Sequence, residues 1–372
     1  MAPLKPGAER FFKPELDVLR FAAFFAVFLH HALPQHYSVW MQAGWSAGAS
    51  LWLASTVRAG GLGVDLFFLL SAYLITTLLL REKAEQGRVA VGAFYARRAL
   101  RIWPLYYAFL AFAAWVAPHL LTRERLPPPY LASFAAFVGN WICAFRGYPP
   151  SVANPLWSVS IEEQFYLVWP LLIGGLGARR LLPAAGALLA VATVTRIWLA
   201  SAGVVHPGVW CHTLARLDPI AVGAVLAVRY GAKGPNLSAA ARAALAAGAV
   251  ATWVLVTAAD SLAGWRSLWS YPAIALACAA LLVASLRRAS GPLSSSGLRA
   301  LAWLGRISYG LYVFHFLAVA LVTRRWGIEG WGRVPIAFAL TLALAACSYR
   351  WLERPFLRLK ARFTAVPSGA SP

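Results

Sequence analysis

The segment "RFAAFFAVFLHH", residues 20–31, is an apolar run that begins with an arginine and ends with two histidines. An α-helix turns by about 100° per residue, so Arg20 and His31 return to within about 20° of the same face. His30 points about 80° away from that face. Along the helix axis Arg20 and His31 lie about 16 Å apart, which is half of the hydrocarbon thickness of a bilayer. The segment therefore predicts a membrane span whose polar stripe carries a cation near one end and an imidazole near the other.

The composition of the whole chain places it in the membrane class. Of the 372 residues, 60% are hydrophobic and only 13% are charged, and the mean hydropathy is +0.63. Soluble domains are about half apolar and about a quarter charged. Long apolar stretches recur along the sequence, and at about 20 residues per span there is room for about ten of them. We therefore predict an all-α polytopic membrane protein, a bundle of about ten transmembrane helices.

The apolar stretches also set the predicted boundaries. The ten predicted spans cover residues 15–33, 62–80, 99–118, 156–176, 181–202, 213–229, 239–259, 268–286, 301–322 and 334–352. A further apolar piece, Leu131 to Phe145, is too short to cross a bilayer and is predicted to be re-entrant or interfacial. We expect one transmembrane domain over residues 1–360 and a mobile C-terminal tail at residues 361–372.

The basic residues are distributed unevenly between the two sides of the predicted bundle. With the amino terminus inside, 23 of the 34 lysine and arginine residues fall in inner segments and 8 in outer segments. Arg20, Arg196 and Arg216 are left at membrane depth. This bias predicts that both termini are cytoplasmic. It also assigns the net charge of +21 to contacts with the lipid bilayer and with an anionic substrate, rather than with nucleic acid.

The four cysteines show no metal-ligand spacing, so we predict no metal site. Cys278 and Cys347 fall inside predicted spans, whereas Cys143 and Cys211 fall near the outer face. A disulfide between Cys143 and Cys211 is one alternative, and two free thiols are the other.

Several ionisable side chains fall in the outer half of the predicted spans, where each costs at least ~2.5 kcal/mol unless it faces the bundle interior. They are His31, Asp65, Glu162 or Glu163, Arg216, Asp218 and His315. Only one of the two adjacent glutamates can face the interior. A carboxylate at this depth, Asp65 or Glu162, can hold the tautomer of His31, although a structural ion pair between Asp65 and an arginine is an alternative. We assign the remaining polar groups of this region to substrate binding: Trp157, Arg216, Asp218 and His315.

The inner half of the predicted bundle carries a second cluster. In "FYARRALRIWPLYY", residues 94–107, Arg97 and Arg101 are four apart and Arg98 and Arg101 are three apart, so one helix face can present a group of cations. Arginine is suited to bidentate binding of phosphate. The alternative is ordinary anchoring of the cytoplasmic side of a span. With Arg20, these residues predict a site for the phosphates of a donor substrate.

Taken together, seven segments resemble the acyltransferase family 3 proteins, which are bacterial multi-span membrane O-acyltransferases. They are Arg20 with ten residues before His31, "GVDLFFLLSAYLI", "FYARRALRIWPLYY", "LWSVSIEEQFYLVWP", "RLDPIAVGAVLA", "ISYGLYVFH" and "LERPF". The resemblance covers nearly the whole chain. One departure is Ala72, where the family more often has glycine, and it bears on close helix packing rather than on chemistry.

The resemblance implies a ten-span core in the bacterial inner membrane and no tightly bound cofactor. It implies an acyl-CoA donor, usually acetyl-CoA, and transfer to a hydroxyl, commonly of a surface carbohydrate. Site residues carried over by the motifs are His31 as the acid–base residue, Arg20 as its basic companion, Glu162 as the important glutamate, and Arg98 and Arg101 as donor-binding residues.

Other functions are compatible with the same residues. In the enzyme interpretation, His31 takes the acceptor proton as general base, or it forms an acyl-histidine intermediate. A transporter or flippase with an intramembrane charge relay is the alternative from another functional class, although no inverted repeat is evident. The sequence leaves the identity of the acceptor, the length of the acyl chain and the oligomeric state open.

Overall fold

The computed structural model describes residues 13–231, 233–287 and 295–363, and every regular element in these ranges is helical. The α-helices are α1 (Pro14–Ala32), α2 (Tyr37–Gln42), α3 (Ala47–Ala59), α4 (Gly63–Gln86), α5 (Val91–Ala111), α6 (Ala117–Leu120), α7 (Pro128–Ala135), α8 (Gly139–Arg146), α9 (Leu156–Gly175), α10 (Ala178–Ser201), α11 (Gly208–Cys211), α12 (Asp218–Tyr230), α13 (Ala239–Ala258), α14 (Ser267–Ser285), α15 (Ser296–Arg306), α16 (Ser308–Ala320), α17 (Arg333–Ser348) and α18 (Arg354–Lys360). Short 3-10 and π-helical turns connect several of them. The predicted all-α class is confirmed.

Six helical stretches in the described part of the chain are long and apolar enough to cross a membrane. They are Ala47–Gln86, Val91–Leu120, Arg179–Ser201, Ala239–Ala258, Gly264–Ser285 and Arg333–Lys360. Helices Ser296–Arg306 and Ser308–Arg325 would together form a seventh, bent by 75°. The multi-pass membrane character is therefore confirmed, whereas length and composition support six or seven spans rather than the predicted ten.

The shortfall comes from three predicted spans, residues 15–33, 156–176 and 213–229, and has a physical reason. Helix α1 carries three charged side chains, Glu15, Asp17 and Arg20, and α9 carries the adjacent pair Glu162 and Glu163. Helix α12 has 13 residues, which span about 20 Å against a hydrocarbon core of about 30 Å. Helices α1 and α9 are therefore too polar, and α12 is too short, to count as membrane spans by length and composition.

The apolar piece around residues 131–145 forms two short helices, α7 and α8, of eight residues each. Each is about 12 Å long, so the prediction that this piece is too short to cross is confirmed. Hydrogen bonds hold the segment against its neighbours. The Tyr106 hydroxyl on α5 donates to the Phe134 carbonyl over 2.8 Å, and Nε2 of Gln164 on α9 donates to the Phe137 carbonyl over 2.8 Å.

Helices α1 and α4 occupy the centre of the bundle, since each contributes buried side chains to both large apolar clusters. Helix α1 gives Phe24 and Val27 to one cluster and Leu19 and Ala23 to the other. It begins with a proline, has acidic residues in its first turn and ends with two histidines, an order that favours a helix and its dipole. Two faces of α1 are therefore fixed by packing.

Close helix approach brings α12 against α4. A Cβ atom on Gly223 would lie 2.6 Å from the Leu69 carbonyl oxygen and 3.0 Å from the Cβ atom of Ala72. Only glycine therefore allows this contact without a backbone shift. Ala72 thus meets a glycine on the facing helix, and the two helices pack closely.

The C-terminal part returns to the first half of the bundle. Helix α18 packs against α5, as does the 3-10 turn Ala361–Phe363. Arg97 donates from Nη1 to the Phe363 carbonyl over 2.6 Å. The tail that was predicted to be mobile therefore begins as a packed turn, and its residues 364–372 lie outside the described ranges.

Candidate active site

A cavity with about 90 Å³ of space accessible to water lies among helices α1, α4, α5, α9 and α16. Its lining residues are Arg20, Val64, Phe67, Phe68, Ser71, Arg98, Arg101, Ile102, Ser158, Val159, Glu162, Tyr166, Ser308, Tyr309 and Tyr312. On α9 alone the lining runs from Ser158 to Tyr166, about 12 Å along the axis. The cavity thus combines cations, one carboxylate and several hydroxyl groups inside an apolar bundle, and it can hold a polar ligand.

Arg98 and Arg101 lie on the wall of this cavity and have no ion pair or hydrogen bond with any residue that the structure describes. The Arg98 guanidinium lies 5.4 Å from the ring centres of both Phe94 and Tyr166, and its Nε atom is buried without a partner. Arg20 also lines the cavity and contacts Asp17 over 3.1 Å. Guanidinium donors that lack a protein partner are available to a phosphate or carboxylate.

Arg97, which was predicted to join this cation group, is placed differently. Its Nη2 atom lies 3.1 Å from a carboxylate oxygen of Glu82, and it is absent from the cavity wall. Arg97 therefore ties α5 to α4 and to the C-terminal turn. Lys360 at the end of α18 lies near four arginines, and their positive charges repel its own. They are Arg20, Arg97, Arg98 and Arg101. In the sequence, Lys360 could be counted only as one of the inner basic residues.

Glu162 and Glu163 point to different surroundings, as the spacing of adjacent helix residues requires. Glu162 lines the cavity and accepts hydrogen bonds from the Ser71 hydroxyl over 2.9 Å and from the Tyr166 hydroxyl over 3.0 Å. Glu163 accepts a hydrogen bond from the Trp103 indole over 3.0 Å. The glutamate that faces the cavity is therefore Glu162.

The His31 side chain is partly buried at the end of α1. Its Nδ1 atom lies 2.9 Å from the Val27 carbonyl oxygen and 3.3 Å from Nε2 of His315 on α16. No described residue contacts its Nε2 atom through a hydrogen bond. A carbonyl oxygen can only accept, so Nδ1 carries the hydrogen and Nε2 of the neutral ring has a free lone pair. In this tautomer His31 can accept a proton.

His31 is absent from the lining of the cavity. The lining residue Tyr312 packs against His315, which in turn contacts His31. The Tyr312 hydroxyl lies 2.7 Å from the Ser158 hydroxyl and 3.2 Å from the Pro155 carbonyl oxygen, which holds the side chain in place. His315 lies behind it, with its ring centre 5.4 Å from that of Tyr312. Arg20 therefore lines this cavity and His31 does not, so the shared passage that their stripe predicted is not confirmed.

Asp65 contacts Arg216 instead of His31. Its Oδ1 atom lies 2.7 Å from Nη2 of Arg216, and both side chains are at most 1% exposed. The Arg216 guanidinium also lies 4.1 Å from the Trp210 ring centre. The alternative in which Asp65 pairs with an arginine is therefore the one that the structure contains, and neither Asp65 nor Glu162 holds the His31 tautomer.

The residues assigned to substrate binding are also enclosed by protein. Asp218 forms a buried two-pronged ion pair with Arg196, in which Nη2 lies 3.0 Å from Oδ1. The Trp157 ring centre lies 5.9 Å from both the Trp210 ring centre and the Arg216 guanidinium. Together with Arg216, Asp218 and Trp157 form a packed cluster apart from the cavity. This geometry lends no support to a substrate-binding role for these three residues.

The cysteines carry free thiols. Cys143, Cys211 and Cys278 are buried and Cys347 is exposed. Of the two alternatives for Cys143 and Cys211, the structure contains the unbridged one.

Several hydroxyl side chains of the cavity were not predicted as site residues. Ser158, Glu162 and Tyr166 follow one another at intervals of four on α9, and this spacing is the signal that could have placed the two hydroxyls beside the glutamate. Ser71 and Tyr312 come from other helices, so only the packed structure brings them to the same cavity.

Comparisons with known proteins place the chain among acyltransferases. Peptidoglycan O-acetyltransferase OatA of Listeria monocytogenes is 27% identical over 376 residues, which are 93% of this chain and 56% of the relative. O-acetyltransferase OatA of Staphylococcus aureus is 26% identical over 366 residues, which are 92% of this chain and 57% of the relative. The chain thus spans about half the length of the curated relatives it matches. No solved structure matches it significantly.

The family comparison covers six of the seven motif segments, all but "LERPF". The sequence model of the acyltransferase domain matches residues 13–350, nearly the whole chain. The chain therefore belongs to this acyltransferase family, the family 3 proteins that its motifs resemble.

Proposed function

We propose that this protein is an integral membrane O-acyltransferase that moves an acetyl group from acetyl-CoA to a hydroxyl of a carbohydrate. Family membership supports acyl transfer, and the two relatives described above are O-acetyltransferases, one of them named for peptidoglycan. Peptidoglycan is therefore the acceptor to test first. Another acyl-CoA can replace acetyl-CoA as donor in the same scheme.

The observation that carries the proposal is the pair of arginines, Arg98 and Arg101, whose donors have no described partner on the cavity wall. Coenzyme A is a phosphate-rich anion, and guanidinium groups bind phosphates through paired charge-assisted hydrogen bonds. Arg20 adds a third cation to the same wall. In this scheme the phosphates meet Arg98 and Arg101, and the thioester arm extends along the hydroxyl-lined length of the cavity.

The proposed topology has ten spans, both termini in the cytoplasm and the bundle in the bacterial inner membrane. Helices α1 and α9 cross in this scheme although they are polar, because the surrounding protein covers their charged groups. Helix α12 crosses together with the 3-10 turn Thr213–Arg216 that precedes it. The arginine cluster then faces the cytoplasm, where acyl-CoA is made. The excess of basic residues in the inner segments supports the same orientation of the bundle.

His31 acts as general base in the proposed reaction. Its Nε2 atom takes the proton of the acceptor hydroxyl as the hydroxyl oxygen attacks the thioester carbonyl carbon. The carbon–sulfur bond then breaks, and the thiolate leaves with the proton that Nε2 releases. The products are an ester and free coenzyme A. Glu162 lies between the arginines and the hydroxyl groups and shapes the charge along the donor's path.

Donor and base lie on opposite sides of Tyr312 in this scheme. The reaction therefore requires the Tyr312 side chain to leave its hydrogen bond with Ser158 so that the thioester can approach His31. Motions of this kind are common before chemistry in enzymes that sequester their substrates.

The test uses purified protein in lipid nanodiscs with radiolabelled acetyl-CoA and purified peptidoglycan. We expect label in alkali-labile esters on the glycan and an equal amount of free coenzyme A. Arg98→Ala should weaken donor use, while Arg180→Ala, at an exposed position, should not. An intact thioester together with transport of a substrate would contradict the proposal and favour a transporter.

A further inference from the structure

The two imidazoles of His31 and His315 form a pair, although the residues are 284 positions apart in the chain. His315 is fully buried, at 0% exposure. Its ring centre lies 6.2 Å from that of Phe24, edge to face, and 5.0 Å from that of His31. Packed in this way, His315 has no open side toward a substrate, in contrast to the substrate-binding role that its sequence position suggested.

The hydrogen bonds of the pair select one arrangement of protons. Nδ1 of His315 contacts the Tyr312 carbonyl oxygen, which can only accept, so this Nδ1 carries a hydrogen. The Nε2 atom of a neutral His315 therefore presents a lone pair to Nδ1 of His31, 3.3 Å away. The hydrogen on Nδ1 of His31 is then shared between Nε2 of His315 and the Val27 carbonyl oxygen.

We infer that His315 is a positioning residue that, together with the Val27 carbonyl, holds the His31 ring in its orientation and in the tautomer with a free Nε2 lone pair. This inference rests on the proposed acyl transfer, in which that lone pair takes the acceptor proton. If the hydrogen of neutral His31 moved to Nε2, its Nδ1 lone pair would face both the Val27 oxygen and the His315 lone pair. Three hydrogen-bond acceptors would then face one another with no hydrogen between them, and this repulsion is unfavourable in a site with little water.

The same contact stabilises the charged form of His31 during the reaction. When Nε2 of His31 takes the proton from the acceptor hydroxyl, the ring becomes positive and its Nδ1 hydrogen is donated more strongly to Nε2 of His315. The proton that moves is the one on Nε2, and it goes on to the coenzyme A sulfur. The Nδ1 hydrogen stays in place throughout, so the pair returns to its starting state.

Asparagine and glutamine at position 315 provide a matched test, because their carboxamides mimic different nitrogens of histidine. The amide of His315→Gln reaches the position of Nε2, where its oxygen can accept from His31. The amide of His315→Asn reaches only the position of Nδ1, where it can donate to the Tyr312 carbonyl. His315→Met fills the site without either bond.

We expect His315→Gln to keep kcat for acetyl transfer to peptidoglycan within about threefold of the wild-type value. Loss of the group that holds a base in its tautomer slows catalysis strongly, so kcat for His315→Asn and His315→Met should fall about 10- to 100-fold. The KM for acetyl-CoA should stay constant in all three, because the arginine end of the cavity is unchanged.

Thermal unfolding in detergent separates this role from a purely structural one, since the Gln and Asn variants should unfold at similar temperatures while their kcat values differ. Equal kcat for the folded Gln and Asn variants would overturn the inference while leaving the proposed function intact. Where the Met variant does not fold, the comparison of Gln with Asn decides. An absence of acetyl transfer by the wild-type protein would instead overturn the proposed function.

Discussion

Arg216 and Asp65 form an ion pair inside the bundle, with 2.7 Å between Nη2 and Oδ1 and at most 1% of either side chain exposed. The two residues are 151 positions apart in the chain. Their pairing joins the start of α4 to the turn before α12. Oδ2 of Asp65 and Nε of Arg216 are buried without a hydrogen bond among the described residues, so this pair depends on its single direct contact.

Breaking this pair should destabilise the protein strongly. Removal of one partner leaves the other charge buried and uncompensated, which typically costs about 3–5 kcal/mol. Asp65→Asn and Arg216→Met should each lower the unfolding temperature in detergent, and the double variant should lose less than the sum of the two. If the single and double variants unfolded at the same temperature as the wild-type protein, the contact would contribute no stability.

The arginine end of the cavity should determine donor affinity. We expect Arg98→Ala and Arg101→Ala each to raise the Kd for coenzyme A by about 10-fold or more, since a hydrogen bond to a charged group contributes about 1.5–3 kcal/mol. Titration calorimetry in nanodiscs measures this directly. Arg180→Ala is the control, because it removes an exposed arginine elsewhere. Unchanged binding by both cavity variants would place the donor phosphates somewhere else.

The two adjacent glutamates should behave differently. Glu162→Gln removes a negative charge and one of two accepting oxygens from the cavity wall, so turnover should fall while coenzyme A binding is unchanged or tighter. Glu163→Gln alters a group that contacts Trp103 outside the cavity and should leave coenzyme A binding at the wild-type value. The rate of acetyl transfer and the Kd, measured on the same preparations, check both. If Glu162→Gln weakened binding, this charge assignment would be wrong.

The four cysteines should be free in the native protein. When the protein is unfolded without a reducing agent and alkylated, mass spectrometry should find the alkyl group on Cys143, Cys211, Cys278 and Cys347. A peptide that links Cys143 to Cys211 would contradict the structure.

Hydropathy was sufficient to predict the membrane class and the helical content, because apolar runs of about 20 residues cross a bilayer as helices. It predicted ten spans, of which six or seven meet a test of length and composition. The difference lies in α1 and α9, whose charged residues have polar partners within the protein, such as Asp17 for Arg20 and Trp103 for Glu163, and in the short α12. Single-segment hydropathy cannot detect that compensation.

The candidate site was predictable in part. The grouping of Arg20, Arg98 and Arg101 was predicted from helix spacing and the family motifs. Glu162 was predicted beside His31 in the outer half, but it shares the cavity with these arginines. Ion-pair partners that are distant in the chain could not be predicted from the sequence. The geometry of a single helix does not show whether Asp65 lies beside His31 or beside Arg216.

The central claim is that a thioester donor held at the arginine end of the cavity reacts with an acceptor activated by His31. The most direct test is the rate at which His31→Ala transfers labelled acetyl from acetyl-CoA to peptidoglycan. A positioned general base contributes about 100- to 10,000-fold, so we predict a fall of at least about 100-fold, with coenzyme A binding and membrane insertion unchanged. Transfer by His31→Ala at the wild-type rate would contradict the claim.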